Sequence, residues 1–166
     1  LTGNEFNIVN GTRYYVNDTC PYVNPFDPYH DIWETTLEVM GGNKWLDPAP
    51  MNGFAGLHSI KHPTEFPTVM HGFPPARVPA ISALAKEFAV FDHYFASLPG
   101  PTFPNRLFFG SGTTHGFVND SDIKMYVEGA PQRTLYDSLD DNNKTWRQYF
   151  GDLPDLLLFK NLRKLN

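Results

Sequence analysis

The chain has 166 residues, a formal net charge of −5 at pH 7 and a hydrophobic fraction of 41%. This length supports one ordinary hydrophobic core, so we expect a single domain, or part of one, over residues 1–166. The acidic balance argues against nucleic acid as a partner, because such binding needs clustered Lys and Arg, and no apolar run is long enough to span a membrane.

Residues 1–77 read as a loop-rich excursion. In chain order we predict a strand over Thr12–Val16, a loop over Pro21–His30, a helix over residues 32–40 and a short helix from Asn52 to about Lys61. The alternating side chains predict the strand, and the prolines exclude a regular helix from the loop. Asp31 and Gly41 can cap the two ends of the helix over residues 32–40.

From residue 78 onward, helix and strand signals alternate, which favours the α/β class. A turn over Leu98–Pro101 separates a buried apolar strand from the helix that follows, and Thr102 stands at the N-cap position of that helix. The predicted elements are a helix over Pro79–Phe88, a strand over Ala89–Phe95, a helix from Thr102 to Ser111, a helix over Leu135–Asp140, a strand over Thr145–Phe150 and a helix over Pro154–Leu165.

Two further features concern compartment and chain ends. Cys20 is alone, so no disulfide can form within the chain. The start lacks both an initiator Met and a signal peptide, which predicts that the true N-terminus is missing. Sequons exceed the roughly one to two expected from composition, which indicates either a secretory route or chance in an Asn-rich chain. They are candidate glycosylation sites and begin at Asn10, Asn17, Asn119 and Asn143.

The segment from Phe95 to Arg106 suits phosphate chemistry. In an open α/β sheet, ligands gather beyond the carboxyl ends of strands, where free amides and the helix dipole favour a phosphate. Thr102 could attack phosphorus while those amides stabilise the charge on its oxygens. Arg106 could pair with phosphate oxygens or act as a structural clamp. On spacing alone, a Thr before such a helix is more often an ordinary cap.

Residues 88–116 read FAVFDHYFASLPGPTFPNRLFFGSGTTHG. This run resembles the nucleophile segment of the phosphoesterase family that includes plant non-specific phospholipases C and bacterial phospholipases C and acid phosphatases. The resemblance is closer to the plant-type branch over residues 131–141. Other segments follow in the family's order, namely Leu1–Asn7, Asp27–His30, Met51–Phe54, Met70–Phe73, Gly129–Thr134 and Asn161–Leu165.

The resemblance implies an alkaline-phosphatase-like sheet with helices on both faces and a catalytic role for Thr102. Thr102 matches the nucleophile, which forms a phosphoenzyme and contacts a divalent metal cation. Asn105 and Arg106 complete the motif and are implied to bind substrate. His30 and His115 match histidines near the phosphate pocket, as hydrogen-bond donors or a leaving-group acid, and the alternative for each is a structural role.

Two acidic motifs of the family, E-N-R-S-F-D-H upstream and D-E-x-G-G-F-Y-D-H downstream, are absent from this sequence. Asp92 and His93 lie in a different family position, so we do not assign them as ligands. The resemblance therefore implies a part of a longer enzyme, inactive by itself, because one neutral hydroxyl is a poor anchor for a divalent cation. The expected substrate is a phospholipid or other phosphate ester, with peripheral membrane contact left open; the alternatives are an acid phosphatase or a non-catalytic secreted glycoprotein.

Overall fold

A computed structural model describes residues 3–20 and 27–163. Within those residues the chain forms six α-helices and one two-stranded sheet, a mixed architecture compatible with the predicted α/β class. The alkaline-phosphatase-like sheet stays a prediction. Contacts divide the chain into two compact units, Leu1–Phe95 and Ala96–Asn166.

The first unit begins with a β-hairpin. Strand β1 (Phe6–Val9) pairs antiparallel with strand β2 (Thr12–Tyr15). The two residues between them, Asn10 and Gly11, have φ angles of 50° and 79°, and positive φ at both positions is what a two-residue hairpin turn requires. The strand predicted over residues 12–16 is therefore confirmed, apart from its last residue.

Three helices of the first unit confirm the sequence predictions: α1 (Ile32–Met40), α2 (Phe54–Lys61) and α3 (Pro79–Glu87). At the start of α1, the Asp31 amide donates to the Glu34 carboxylate, and Gly41 ends the helix at a φ of 68°. Both ends are fixed by short-range chemistry, which is why sequence alone locates this helix. Two 3₁₀ turns, Phe66–Met70 and Pro75–Arg77, complete the unit.

The hairpin and α2 share a small core. Its buried apolar residues are Val9, Ala55, Phe66 and Met70. Buried Asn7 ties β1 to the start of α2, because its Oδ1 accepts from the Ala55 amide at 2.9 Å and its Nδ2 donates to the Met51 carbonyl. This pairing satisfies the polar side chain within an otherwise apolar layer.

The buried strand predicted over residues 89–95 is wrong in this structure. The segment has no strand conformation, and the side chains of Phe91 and Phe95 are 80% and 76% exposed. A strand needs a neighbour to receive its amides, and within the described residues β1 and β2 pair only with each other. Residues 89–95 are apolar enough for a buried strand, but the described residues provide no neighbouring strand to pair with them.

The second unit contains α4 (Thr102–Ser111), α5 (Ile123–Val127) and α6 (Leu135–Asp141). Thr134 caps α6 as predicted, since its Oγ1 accepts from the Asp137 amide at 3.2 Å. The core of the unit draws buried residues from α4, α5, the loops around them and the last described turns: Leu107, Phe117, Met125, Ala130, Leu156, Leu158 and Phe159.

Two predicted elements of the second unit are wrong. Residues 145–150 are irregular rather than a strand. The helix expected over Pro154–Leu165 is replaced by two 3₁₀ turns, Asp155–Leu158 and Lys160–Leu162, while residues 164–166 lie outside the description. Backbone hydrogen bonds between Ala130 and residues 158 and 160 hold Phe159 in an extended conformation, and that interrupts any continuous helix.

Arg163 belongs to the short basic cluster near the end of the chain. Its guanidinium donates to the carbonyls of Met125, Tyr126 and Val127 at the end of α5, and its Nε donates to Leu157. The last carbonyls of a helix have no partner within the helix. Arg163 therefore completes α5, a different helix from the one predicted over residues 154–165.

None of the described helices is both long enough and apolar enough to cross a membrane.

Candidate active site

The turn before α4 is held by the side chain of Asn105. Its Nδ2 donates to the carbonyls of Leu98 (3.0 Å), Gly100 (3.2 Å) and Pro101 (3.0 Å), and its Oδ1 accepts from the Leu98 amide at 3.1 Å. An Asn side chain has two N–H donors, so the turn already engages both of them. The side chain of Asn105 thus joins the turn to the first residues of α4, and substrate binding by Asn105 stays a prediction.

Thr102 is the first residue of α4, and the N-cap is Pro101, one residue earlier than predicted. Pro101 has φ −73° and ψ 179°, an extended conformation that its ring favours and that an N-cap residue normally adopts. The Thr102 side chain is exposed. No described residue hydrogen-bonds its hydroxyl, so the group is open to a ligand.

The first turn of α4 offers fewer free amides than the sequence predicts. The Phe103 amide donates to Asp120 Oδ1 at 2.8 Å, and Pro104 has no N–H to offer. A carboxylate at this position is favourable, because a helix N-terminus attracts negative charge. The protein's own Asp120 thus occupies part of the predicted phosphate site.

Arg106 forms an ion pair with Asp155, and its guanidinium carbon lies 5.9 Å from the centroid of the Phe103 ring. This arrangement is the structural clamp that the sequence allowed as the alternative to phosphate binding. The Arg106 side chain is 49% exposed, and exposed ion pairs contribute little stability. Binding of phosphate by Arg106 stays a prediction.

His115 lies in the loop after α4. Its backbone is left-handed, with φ 56°, and its amide donates to Thr113 Oγ1 at 3.2 Å. Gln132 holds this loop against the end of α4, since its Nε2 donates to Ser111 Oγ and to the Thr113 carbonyl, both at 3.0 Å. The described residues show no hydrogen bond between His115 and Thr102, and the catalytic role of His115 stays a prediction.

His30 belongs to the first unit. Its Nδ1 lies 2.6 Å from the Pro28 carbonyl oxygen and 3.8 Å from a carboxylate oxygen of Asp27, and its side chain is 47% exposed. The neighbouring Tyr29 ring stacks on His58, with ring centroids 5.0 Å apart. The loop that presents His30 is therefore anchored on α2, and a catalytic role for His30 stays a prediction.

A buried pair between α1 and α2 was not found by sequence reasoning. Glu38 Oε1 and His58 Nε2 lie 2.9 Å apart, and both side chains are buried. Burial raises the pKa of Glu38 to about 7, with nearby Glu34 adding to the rise and His30 opposing it. Burial also lowers the pKa of His58, and His62 lowers it further.

No sequence signal announces this pair, because Glu38 and His58 lie on different helices and share no periodicity. The helices meet where Gly53 contacts α1. A Cβ at Gly53 would lie 2.1 Å from the Leu37 carbonyl oxygen, and the Gly53 amide donates to the Glu38 carbonyl at 2.9 Å. Only a residue without a side chain fits there.

The four sequons fall into two geometries. Asn10 and Asn143 are exposed and lie at positive φ. In the other two, Asn17 and Asn119, the side-chain Oδ1 accepts from the hydroxyl of its own sequon, at 2.6 and 3.0 Å respectively. Glycosylation at the four sites stays a prediction.

A divalent cation does not fit the described residues by themselves. Among them, no group of three or more His, Cys, Asp or Glu side chains could hold a metal ion. The one family-matched ligand, Thr102, contributes a single neutral oxygen, whereas Ca²⁺ and Mg²⁺ prefer several oxygen ligands.

Comparison with known proteins decides the family. The model of the Phosphoesterase family matches residues 4–165. This chain belongs to the phosphoesterase family. The match covers every candidate residue named above, so the resemblance first seen around Thr102 is confirmed.

Relatives of this phosphoesterase include three proteins of Arabidopsis thaliana. Non-specific phospholipase C1 is 37% identical over 170 residues, and non-specific phospholipase C6 is 39% identical over 167 residues; each alignment covers 99% of this chain and 32% of the relative. Non-specific phospholipase C5 is 38% identical over 164 residues, covering 95% of this chain and 31% of the relative. The chain thus spans about a third of the length of these relatives.

Proposed function

We propose that this chain is part of a hydrolase that cleaves phosphate ester bonds of phospholipids, in the manner of a phospholipase C, with Thr102 as the nucleophile. The observation that carries the proposal is the exposed Thr102 hydroxyl at the start of α4, in a chain of the phosphoesterase family. The names of the relatives favour a phospholipid over a soluble phosphomonoester.

The proposed reaction has two steps at phosphorus. Thr102 Oγ first attacks the phosphorus atom and loses its proton, while the bond to the diacylglycerol oxygen breaks and that oxygen gains a proton. Water then attacks the phosphothreonine, which releases the phosphorylated headgroup and restores the hydroxyl. Splitting the displacement in this way is the general benefit of a covalent nucleophile.

The residues around Thr102 take separate roles in this proposal. Asn105 keeps the turn in shape through its four hydrogen bonds, so that the hydroxyl has a fixed direction. Arg106 exchanges Asp155 for a phosphate oxygen, which its exposed position allows. His115 is the proposed proton donor for the leaving group, because an imidazole can pass a proton from its ring nitrogen to a departing oxygen; for His30 the same role stays what the resemblance implies.

We further propose that most ligands of the divalent cation lie in the part of the full-length protein outside these residues. The chain spans about a third of its relatives, which leaves room for the acidic motifs that this sequence lacks. Metal analysis of the purified full-length protein tests this idea, and a protein that is fully active after exhaustive chelation would sink it.

The proposed nucleophile is tested with Thr102→Ala in the full-length protein, with release of the headgroup from a short-chain phospholipid as the assay. We expect a loss of at least roughly a thousandfold in kcat, as for removal of other nucleophiles that act with a unit of catalytic groups. The matched control is Thr64→Ala, an exposed threonine in the first unit, which should keep wild-type kinetics.

The outcomes separate the alternatives. Retention of most activity by Thr102→Ala would remove Thr102 from the nucleophile role. Hydrolysis of a phosphomonoester such as p-nitrophenyl phosphate in preference to phospholipid would favour the hypothesis of an acid phosphatase. The hypothesis of a non-catalytic protein would be favoured if the full-length wild type were inactive on both substrates, with and without added divalent cations.

A further inference from the structure

Asp120 is the side chain that caps the first turn of α4. Its Oδ1 accepts from the Phe103 amide at 2.8 Å, while the N-cap residue, Pro101, offers no side-chain hydrogen bond. Pro104, in the same turn, has no amide. The carboxylate of Asp120 therefore does for α4 what an N-cap side chain does for an ordinary helix, from a position seventeen residues along the chain.

Tyr126 supports the same turn from α5. Its hydroxyl donates to the Asp120 carbonyl oxygen, and its ring meets the Phe103 ring edge-on, with centroids 5.9 Å apart and an interplanar angle of 86°. Phe103 is thus held at both its amide and its ring. The preceding residue is Thr102, so these contacts fix the backbone from which the hydroxyl projects.

α5 itself is firmly placed. Met125 is completely buried in the core of the second unit, and Arg163 satisfies the carbonyls of Met125, Tyr126 and Val127. A support of this kind transmits little motion, because close-packed interiors are stiff. The contacts of Asp120 and Tyr126 therefore tie the start of α4 to a helix anchored in the core of the unit.

We propose that Asp120, supported by Tyr126, is a positioning residue for Thr102: it accepts the Phe103 amide and so holds the first turn of α4 in the orientation that aims the hydroxyl at phosphorus. This inference rests on the proposed function. In this proposal Asp120 acts through the hydrogen bond that its Oδ1 accepts from the Phe103 amide, a bond that an uncharged amide oxygen in the same place can also accept.

The size of the effect follows from geometry. A nucleophile reacts only when it is aligned and close to van der Waals contact, and a misplacement of about 1 Å can cost on the order of a hundredfold in rate. Loss of one cap does not unfold a helix with a buried face, but it frees its first turn. The expected signature is a lower kcat with a KM no higher than wild type, since the fault lies in the chemical step.

The test compares Asp120→Ala with Asp120→Asn in the full-length protein, with kcat and KM measured on a short-chain phospholipid. We expect Asp120→Ala to lower kcat by roughly tenfold to a hundredfold. Asp120→Asn keeps an oxygen acceptor for the Phe103 amide and should restore kcat to within about twofold of wild type. Asp152→Ala, which removes an exposed carboxylate elsewhere in the second unit, is the control for charge.

Tyr126→Phe gives a milder second test, because it keeps the ring contact with Phe103 and removes only the hydroxyl. We expect a drop of a few-fold in kcat, and this variant decides the matter should Asp120→Ala fail to fold. A kcat for both Asp120→Ala and Tyr126→Phe equal to that of Asp152→Ala overturns the proposal. So does an Asp120→Asn variant as impaired as Asp120→Ala, because charge would then be the cause.

Failure of this inference can be told apart from failure of the proposed function. If Thr102→Ala abolishes activity and Asp120→Ala does not lower it, Thr102 remains the nucleophile and only the positioning role falls. If Thr102→Ala stays active, the function of the site is wrong, whatever Asp120 does.

Discussion

At the scale of single residues, Asn105 is the side chain with the most hydrogen bonds around the candidate site. It joins the carbonyls of Leu98, Gly100 and Pro101 and the Leu98 amide. The prolines on both sides of the central glycine restrict the backbone angles of the turn, but they have no N–H to donate to its carbonyls. The shape of the turn therefore depends on one amide side chain placed four residues beyond its end.

Replacing Asn105 should loosen the turn and slow the reaction together. We predict that Asn105→Ala lowers the free energy of unfolding by about 1–3 kcal/mol, because partly buried backbone groups lose their partners. It should also lower kcat more than it raises KM. Thermal unfolding and steady-state kinetics check the two effects, with Asn142→Ala as control, since Asn142 makes one exposed hydrogen bond, to Ser138.

The outcome also distinguishes two roles for Asn105. If its amide contacted substrate directly, the main effect of Asn105→Ala would be on KM and stability would not change. Unfolding at the wild-type temperature would therefore contradict the positioning role.

At the scale of elements, the Glu38–His58 pair joins α1 to α2 inside the first unit. In the folded chain, burial raises the pKa of Glu38 to about 7 and lowers the pKa of His58, so it favours the uncharged form of both groups. The charged or titratable groups around the pair are Glu34, His30, His62, Lys61 and Tyr29.

The two shifts act on stability with opposite signs. The raised pKa of Glu38 contributes stability that is fully present below the ordinary pKa of 4.5 and is lost as pH rises through about 7. The lowered pKa of His58 contributes stability that is present above the ordinary pKa of 6.5 and is lost as pH falls through the folded value. Between pH 4.5 and 6.5 the two contributions oppose each other.

This opposition predicts variants with opposite pH slopes. Glu38→Gln leaves only the His58 contribution, so its stability should fall as pH drops from 6.5 to 5. His58→Gln leaves only the Glu38 contribution, so its stability should fall as pH rises from 5 to 7. Wild type should be flatter than either, and each slope is at most about 1.4 kcal/mol per pH unit.

Urea unfolding midpoints at pH 5, 6, 7 and 8 measure these slopes. His93→Gln is the control, because His93 is an exposed histidine beside Asp92. Slopes of the same sign in Glu38→Gln and His58→Gln would contradict the opposite directions of the two pKa shifts.

At the scale of the whole molecule, five of the six described helices follow from the sequence, whereas α5 was not predicted and two of the three predicted strands do not form. The starts and ends of α1 and α6 are set by residues within four positions of them, such as Asp31, Gly41 and Thr134, so the chain alone locates them. The hairpin carried a signal that was missed: Asn10-Gly11 is a turn typical of paired strands, and it predicts a strand before it as well as after it.

The failed strands depended on distant partners. Residues 89–95 have the composition of a buried strand, but burial requires a neighbouring strand that no local pattern can guarantee. The helix predicted over residues 154–165 does not form for a related reason, because backbone hydrogen bonds with Ala130 interrupt the helix that the leucine spacing predicts.

The candidate site shows the same division. Family resemblance singled out Thr102, and the structure shows its side chain exposed at the start of α4. The hydrogen bonds of Asn105 could not be foreseen, because an Asn in the first turn of a helix has many partners to choose from. Nor could the contact of Asp120 with Phe103, which no spacing rule connects.

The most direct test of the account is to trap the covalent intermediate on Thr102. The full-length protein is mixed with a short-chain phospholipid, quenched in acid within one turnover and analysed by peptide mass spectrometry. We predict a mass increase equal to that of the phosphorylated headgroup less one water on the peptide that contains Thr102, and no such increase in Thr102→Ala. An adduct on a different side chain, or normal turnover by Thr102→Ala, would contradict the account.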